Sequence, residues 1–135
     1  MRSATYAVLI LTLGLALAGC KSEAEKEMSD IMDKQKDILA VLKGVTDKES
    51  AKAADVKLKA IAKDMSEIFE RMKKTNPSQD EQKRILGKYE AQKDQVSKDM
   101  QAEMQRIQAH PEWAMELTDG MMEIGTAAIK AQTLK

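Results

Sequence analysis

Apolar residues fall in two textures along this chain. From Ala7 to Ala18 they run almost unbroken, interrupted only by Thr12 and Gly14. After Cys20 charged residues appear at once, and apolar positions recur every three or four residues. The second texture marks helices that bury one face. It predicts a first helix over 23–43, with Met28, Ile31, Met32, Ile38, Leu39 and Leu42 on one stripe. A second helix is predicted over 47–74. Its stripe is Ala51, Ala54, Leu58, Ile61, Met65, Ile68 and Met72, alternating steps of three and four as in a heptad seam. A third helix over 79–109 carries Leu86, Tyr89, Val96, Met100, Met104 and Ile107. At 1.5 Å per residue it is about 45 Å long. A fourth over 111–131 carries Trp113, Leu117, Met121, Ile124 and Ala128.

The ends of these segments carry their own signals. Ser22 with Glu25, Thr46 with Glu49 and Ser78 with Glu81 each match a capping box, in which a hydroxyl and a carboxylate satisfy two orphan backbone donors. Gly44 suits a helix C-terminus because it tolerates positive φ. Asn76-Pro77 and His110-Pro111 interrupt the pattern, and proline is favoured as the first residue of a new helix. Gly87 weakens the third helix by about 1 kcal/mol relative to alanine. Gly120 and Gly125 make the fourth the least secure. Short links between helices give antiparallel neighbours. The expected fold is all-α, an antiparallel bundle of three to four helices with coiled-coil-like seams. The alternative is an extended hairpin that completes its core by dimerising.

The first texture has a different meaning. Twelve apolar residues are too few to span a hydrocarbon core, which takes about 20. Behind Arg2 and ahead of small residues, they form an export signal. Leu17, Ala18, Gly19 and Cys20 close it, and this tetrapeptide resembles the lipobox of bacterial lipoproteins. The resemblance implies removal of residues 1–19, a diacylglycerol on the Cys20 sulfur and, in many bacteria, acylation of the new amine. It implies a domain over 20–135 held in the cell envelope by its lipid. Lys21 stands where aspartate favours retention in the inner membrane of enteric bacteria, so the periplasmic leaflet of the outer membrane is the expected address. The helical remainder is similar to small envelope lipoproteins, a likeness to which no activity attaches. Cys20 is the chain's one cysteine, so it has no partner for an internal disulfide.

Composition narrows the function. Without residues 1–19, the chain carries 21 basic against 22 acidic residues in interspersed order. That is a solvated helix surface, with no field to attract nucleic acid. Catalytic raw material is sparse: one histidine, His110, beside a proline at a helix junction, reads as a cap or hinge. No zinc-type spacing, phosphate loop or small-molecule site is evident, and no cofactor beyond the covalent lipid is expected. Nine methionines follow the initiator. The i, i+4 pairs Met28/Met32 and Met100/Met104 are soft donors suited to Cu(I), with His110 a further ligand. The same residues serve as adaptable core filler, and most lie on the seams. The leading expectation is a non-enzymatic scaffold or interaction module that meets a protein partner or its own copy. Trp113, Leu117 and Met121 are the candidate contact face, and Met-based copper binding is the alternative.

Overall fold

The computed structural model describes residues 22–132. Among them five helices pack as an all-α bundle: α1 Glu23–Lys43, α2 Lys48–Thr75, α3 Gln79–Gln108, α4 Pro111–Glu116 and α5 Thr118–Gln132. No helix among the described residues is long and apolar enough to cross a membrane.

Ion pairs and hydrogen bonds fix the register. Lys34 meets Asp64, Asp30 meets Arg71 and Glu27 meets Thr75, so α1 and α2 are antiparallel. Glu25 meets Arg84, while Leu42 and Val45 meet Arg106, so α3 runs alongside α1 in the same direction. Gly120 lies on Asp55 and Lys130 is near Glu70, so α5 follows α2. The path is up, down, up, down, with α4 turning the last corner. In lateral order α3 packs on α1, α1 on α2 and α2 on α5, while α4 bridges α3 and α2. Among the described residues no close backbone approach joins α2 to α3.

The main core lies at the end remote from Ser22. Leu42, Val45, Leu58, Ile107 and Leu117 are almost wholly enclosed there, with Ile38, Ala51, Ala54, Ile61, Met65 and Ala127 around them. Each buried aliphatic side chain of this size contributes about 1.5–3 kcal/mol. On α2, the predicted seam from Ala51 to Ile68 is buried throughout, and Met72 is partly buried. Asp55 and Ala62 widen it, because α2 has neighbours on two sides.

Four expectations need correction, besides the return halves of the Ser22–Glu25 and Ser78–Glu81 boxes, of which only the amide-to-hydroxyl bonds are formed. Gly44 is not left-handed: its φ is −76°. The Arg106 guanidinium instead donates to the Leu42 and Val45 carbonyls at 2.9 and 2.7 Å, which ties off the end of α1. Asn76, at φ 40°, is the residue in the left-handed region, where the following proline disfavours helical backbone. The box at the start of α2 joins Asp47 and Ser50 rather than Thr46 and Glu49. The Ser50 amide donates to the Asp47 carboxylate at 2.7 Å, and the short Ser50 hydroxyl accepts from the Thr46 and Asp47 amides. On α3 the buried residues are Ile85, Val96 and Ile107, while Leu86 is 54% exposed. Tyr89, Gln92, Met100 and Glu103, all partly buried, complete the inward row, which steps by four, three and four. That is an eleven-residue repeat, which tracks a straighter helix than a heptad does. One residue is ~100° of rotation, so Leu86 is turned away.

The fourth correction is the predicted helix over 111–131, which breaks at Leu117 into α4 and α5. In a continuous helix the Gly120 amide would bond the Glu116 carbonyl. The Asp55 carboxylate takes that amide instead, at 2.6 Å. A side chain inserted into the helical ladder is a recognised cause of a kink. Leu117, at the break, lies in the core at 2% exposure, as its place on the predicted stripe requires.

Candidate functional site

The expected lipidation residue Cys20 and its neighbours Leu17, Ala18 and Gly19 lie outside the described residues. The described chain begins immediately behind them, at Ser22. Ser22 is extended, with φ −63° and ψ 161°, and its hydroxyl accepts the Glu25 amide at 3.3 Å. The return half of the expected box is not made, because the Glu25 carboxylate is used elsewhere. It is buried between Arg84, at 3.2 Å, and Lys88, both on α3. The hydrogen bond from Lys88 holds the Glu25 carboxyl below the usual range. Burial opposes this, and Arg84 adds to it. One turn of backbone holds a second tie: buried Glu27 accepts the Thr75 hydroxyl at 2.9 and 3.0 Å. The first turn of α1 is thus fastened to both long neighbours.

Alongside these ties opens a cleft of about 470 Å³. It exists because α3 leans on α1 and leaves α2 unaccompanied on that side. Ala24 and Met28 of α1 form its floor, Phe69 and Met72 of α2 one wall, and Ile85 and Leu86 of α3 the other. Asn76 and Pro77 close the end, where the Gln82 side-chain amide donates to the Pro77 carbonyl at 2.9 Å.

The opposite end holds the bundle's other cluster. The Trp113 ring stacks on His110 with centroids 3.7 Å apart and planes inclined by 17°. Arg106 stands over the same indole at 5.8 Å and bonds Glu103 at 2.7 Å. His110 occupies the cap position of α4 without a side-chain capping bond, and its Nδ1 lies 3.8 Å from Glu112. Of the expected contact face, Trp113 and Met121 are half-buried against the core and Leu117 is enclosed in it. The large apolar side chains that α4 and α5 leave exposed are Met115, Met122 and Ile129, seven residues apart. The fourth segment uses its predicted stripe for packing and presents a different row to solvent.

The methionine pairs are not brought together. Met28 and Met32 belong to the first half of α1, Met28 in the cleft and Met32 in the interior. Met100 and Met104 pack against the main core, on the stretch of α3 leading to Arg106, which meets Leu42. Ten residues of helix separate Met32 from Leu42, about 15 Å. His110 lies beyond the core at the far end. Among the described residues, no three His, Cys, Asp or Glu side chains gather where a metal could sit.

Compared with protein-family models, with curated proteins and with solved structures, the chain matches none. The ties of Glu25, Asp55 and Arg106 have no signature in their own local sequence. The nearest hint is Arg84 and Lys88, an i, i+4 cationic pair that asks for an acid across the interface.

Proposed function

We propose that this protein is a lipid-anchored envelope lipoprotein that works by holding a rigid helical bundle at a membrane surface, where it contacts other proteins. The observation that carries the reading is the position of Ser22. A residue two places behind Cys20 already caps α1, and Glu25 is already bound to α3. A lipid on Cys20 would therefore orient the bundle, because almost no tether intervenes. One acyl chain holds a protein to a bilayer only marginally, whereas two or more hold it stably at ~0.8 kcal/mol per buried methylene. The periplasmic leaflet of the outer membrane is the proposed address, on the strength of Lys21. The exposed row of Met115 and Met122, with Ile129 in register, is the proposed contact face.

Growth with a radiolabelled fatty acid tests the anchor. The full chain should carry label and sediment with membranes, and Cys20→Ser should lose both properties. Equal labelling of the two proteins overturns the anchor. A photo-crosslinking residue at Met122 tests the contact face in intact cells, with one at exposed Lys57 as control. Adducts from position 122 alone are expected, and equal yields from both positions would remove the face. Turnover of an envelope substrate by the purified protein would overturn the non-enzymatic reading.

A further inference from the structure

We propose that the cleft at the Ser22 end receives one acyl chain of the protein's own Cys20 lipid, so that the bundle sheathes part of its anchor. This rests on the lipoprotein reading above. Three observations support the assignment.

The first is reach. Cys20 precedes Ser22 by two residues, a span of at most ~7 Å of extended chain. The floor of the cleft is built by Ala24 and Met28, in the first and second turns of α1. A lipid on Cys20 is attached within that span of Ser22, which puts the cleft within reach of its acyl chains.

The second is chemistry. The floor and both walls are hydrocarbon, aromatic or thioether, and among the described residues no carboxylate lines the cleft. Met28 and Met72 give it walls that adapt to a flexible guest. The polar side chains on its lining are those of Lys73, Asn76 and Gln82. Lys73 is paired with Glu70, and Gln82 donates to Pro77. The cleft therefore offers few groups to satisfy a peptide backbone, and it suits a guest with no hydrogen-bonding needs.

The third is size and exposure. At about 470 Å³ the cleft falls within the ~300–1,000 Å³ range of small-molecule sites. A single flexible chain fits such a space better than a helix, which is ~10–12 Å across with side chains. Leu86 holds a large aliphatic side chain at 54% exposure on the lip. A seated acyl chain would cover it.

The test uses the full-length chain, made in bacteria fed a fatty acid with a photoreactive diazirine near its end. After irradiation, mass spectrometry maps where the acyl chain has inserted. Insertion into Met28, Phe69, Met72 or Leu86 of the same molecule is expected. Leu86→Trp narrows the lip at an exposed position and should reduce insertion several-fold while leaving the label on Cys20 unchanged. Label on Cys20 with insertion only into bilayer lipid overturns this proposal and spares the lipoprotein reading. Unchanged insertion in Leu86→Trp also overturns it. Covalent dimers, with the chain of one copy in the cleft of another, would assign the cleft to a neighbour and overturn it as stated. No label on Cys20 removes both readings together.

Discussion

The two ends of the bundle are built from the same three long helices and hold together differently. Far from Ser22, side chains of α1, α2, α3 and the α4–α5 segment meet in one apolar core, and Leu42, Val45 and Leu58 show no exposed surface. At the Ser22 end the hydrocarbon is thinner. Glu25 and Glu27 are buried there, tied by Arg84, Lys88 and Thr75, and α2 and α3 stand apart around a cleft. The fourth segment makes the difference. It begins at the far end, where Leu117 joins the core, and beyond that point α5 follows α2 toward Glu70 with no close backbone approach to α1 or α3 among the described residues. A large apolar core resists opening, whereas a region with few buried contacts opens locally at lower cost. Stability is concentrated at one end, and adaptability at the end nearest the proposed anchor.

The largest effects should come from the far end. Leu58→Ala empties a fully enclosed position and should cost about 2–5 kcal/mol, read from urea or thermal denaturation. Gly120→Ala tests the contact that seats α5. An added Cβ there would stand 2.8 Å from the Leu58 Cβ and 2.9 Å from the Asp55 carbonyl oxygen. Neither atom can rotate away, so overpacking of about 1–3 kcal/mol should outweigh the gain in helix propensity. A Gly120→Ala protein as stable as the parent would show that α5 is loosely seated and would erase the contrast between the ends.

Gly120 also shows where the sequence can be read and where it cannot. The pattern at this residue predicts a weak helix, because glycine is costly inside one. The fold uses the missing side chain to bring α5 onto α2, a pairing that lies 65 residues apart in the chain. The same division runs through the molecule. The stripes of α1 and α2 and the capping residues Ser22 and Ser78 are legible because periodicity and capping are local. The inward turn of Ile85 is not, because the first half of α3 has few apolar residues to define a face. In sequence Glu25 is a first-turn acid favoured by the helix dipole, and only the register of α3 reveals its burial. Of the site, the proposed anchor residue is legible from its motif. The cleft is not, because it arises from how far α3 stands from α2.

Acidification should separate the ends further. The carboxyls of Glu25 and Asp55 both titrate below their usual range. At Glu25 the chief cause is Lys88. At Asp55 burial pushes upward, and Lys59 with the Gly120 amide more than offsets it. A depressed folded-state pKa gives stabilisation that is present above about pH 4 and is lost as pH falls through the folded value. Hydrogen exchange, expressed as protection factors, should show amides of 23–28 and 82–92 losing protection on acidification before the core amides of 54–62 do. Glu25→Gln should lower protection of the first set at neutral pH and flatten its response to acid. The response around Asp55 should persist. Simultaneous loss at both sets, with no effect of Glu25→Gln, would mean that the bundle opens as one unit.

The smallest effect should have the opposite sign. Gly87 lies inside α3 at the adaptable end, and a Cβ built there meets nothing within 4 Å among the described residues. Its backbone is not in the positive-φ region, so alanine is compatible with the conformation. Gly87→Ala should therefore stabilise by up to about 1 kcal/mol, partly by restricting the unfolded chain. The denaturation midpoint reads the gain, and hydrogen exchange locates it. If α3 opens locally over its first half, protection there should rise by more than protection at the far core. An equal rise at both ends would place α3 in the same cooperative unit as Leu58, and a loss of stability would mean that α3 bends at Gly87.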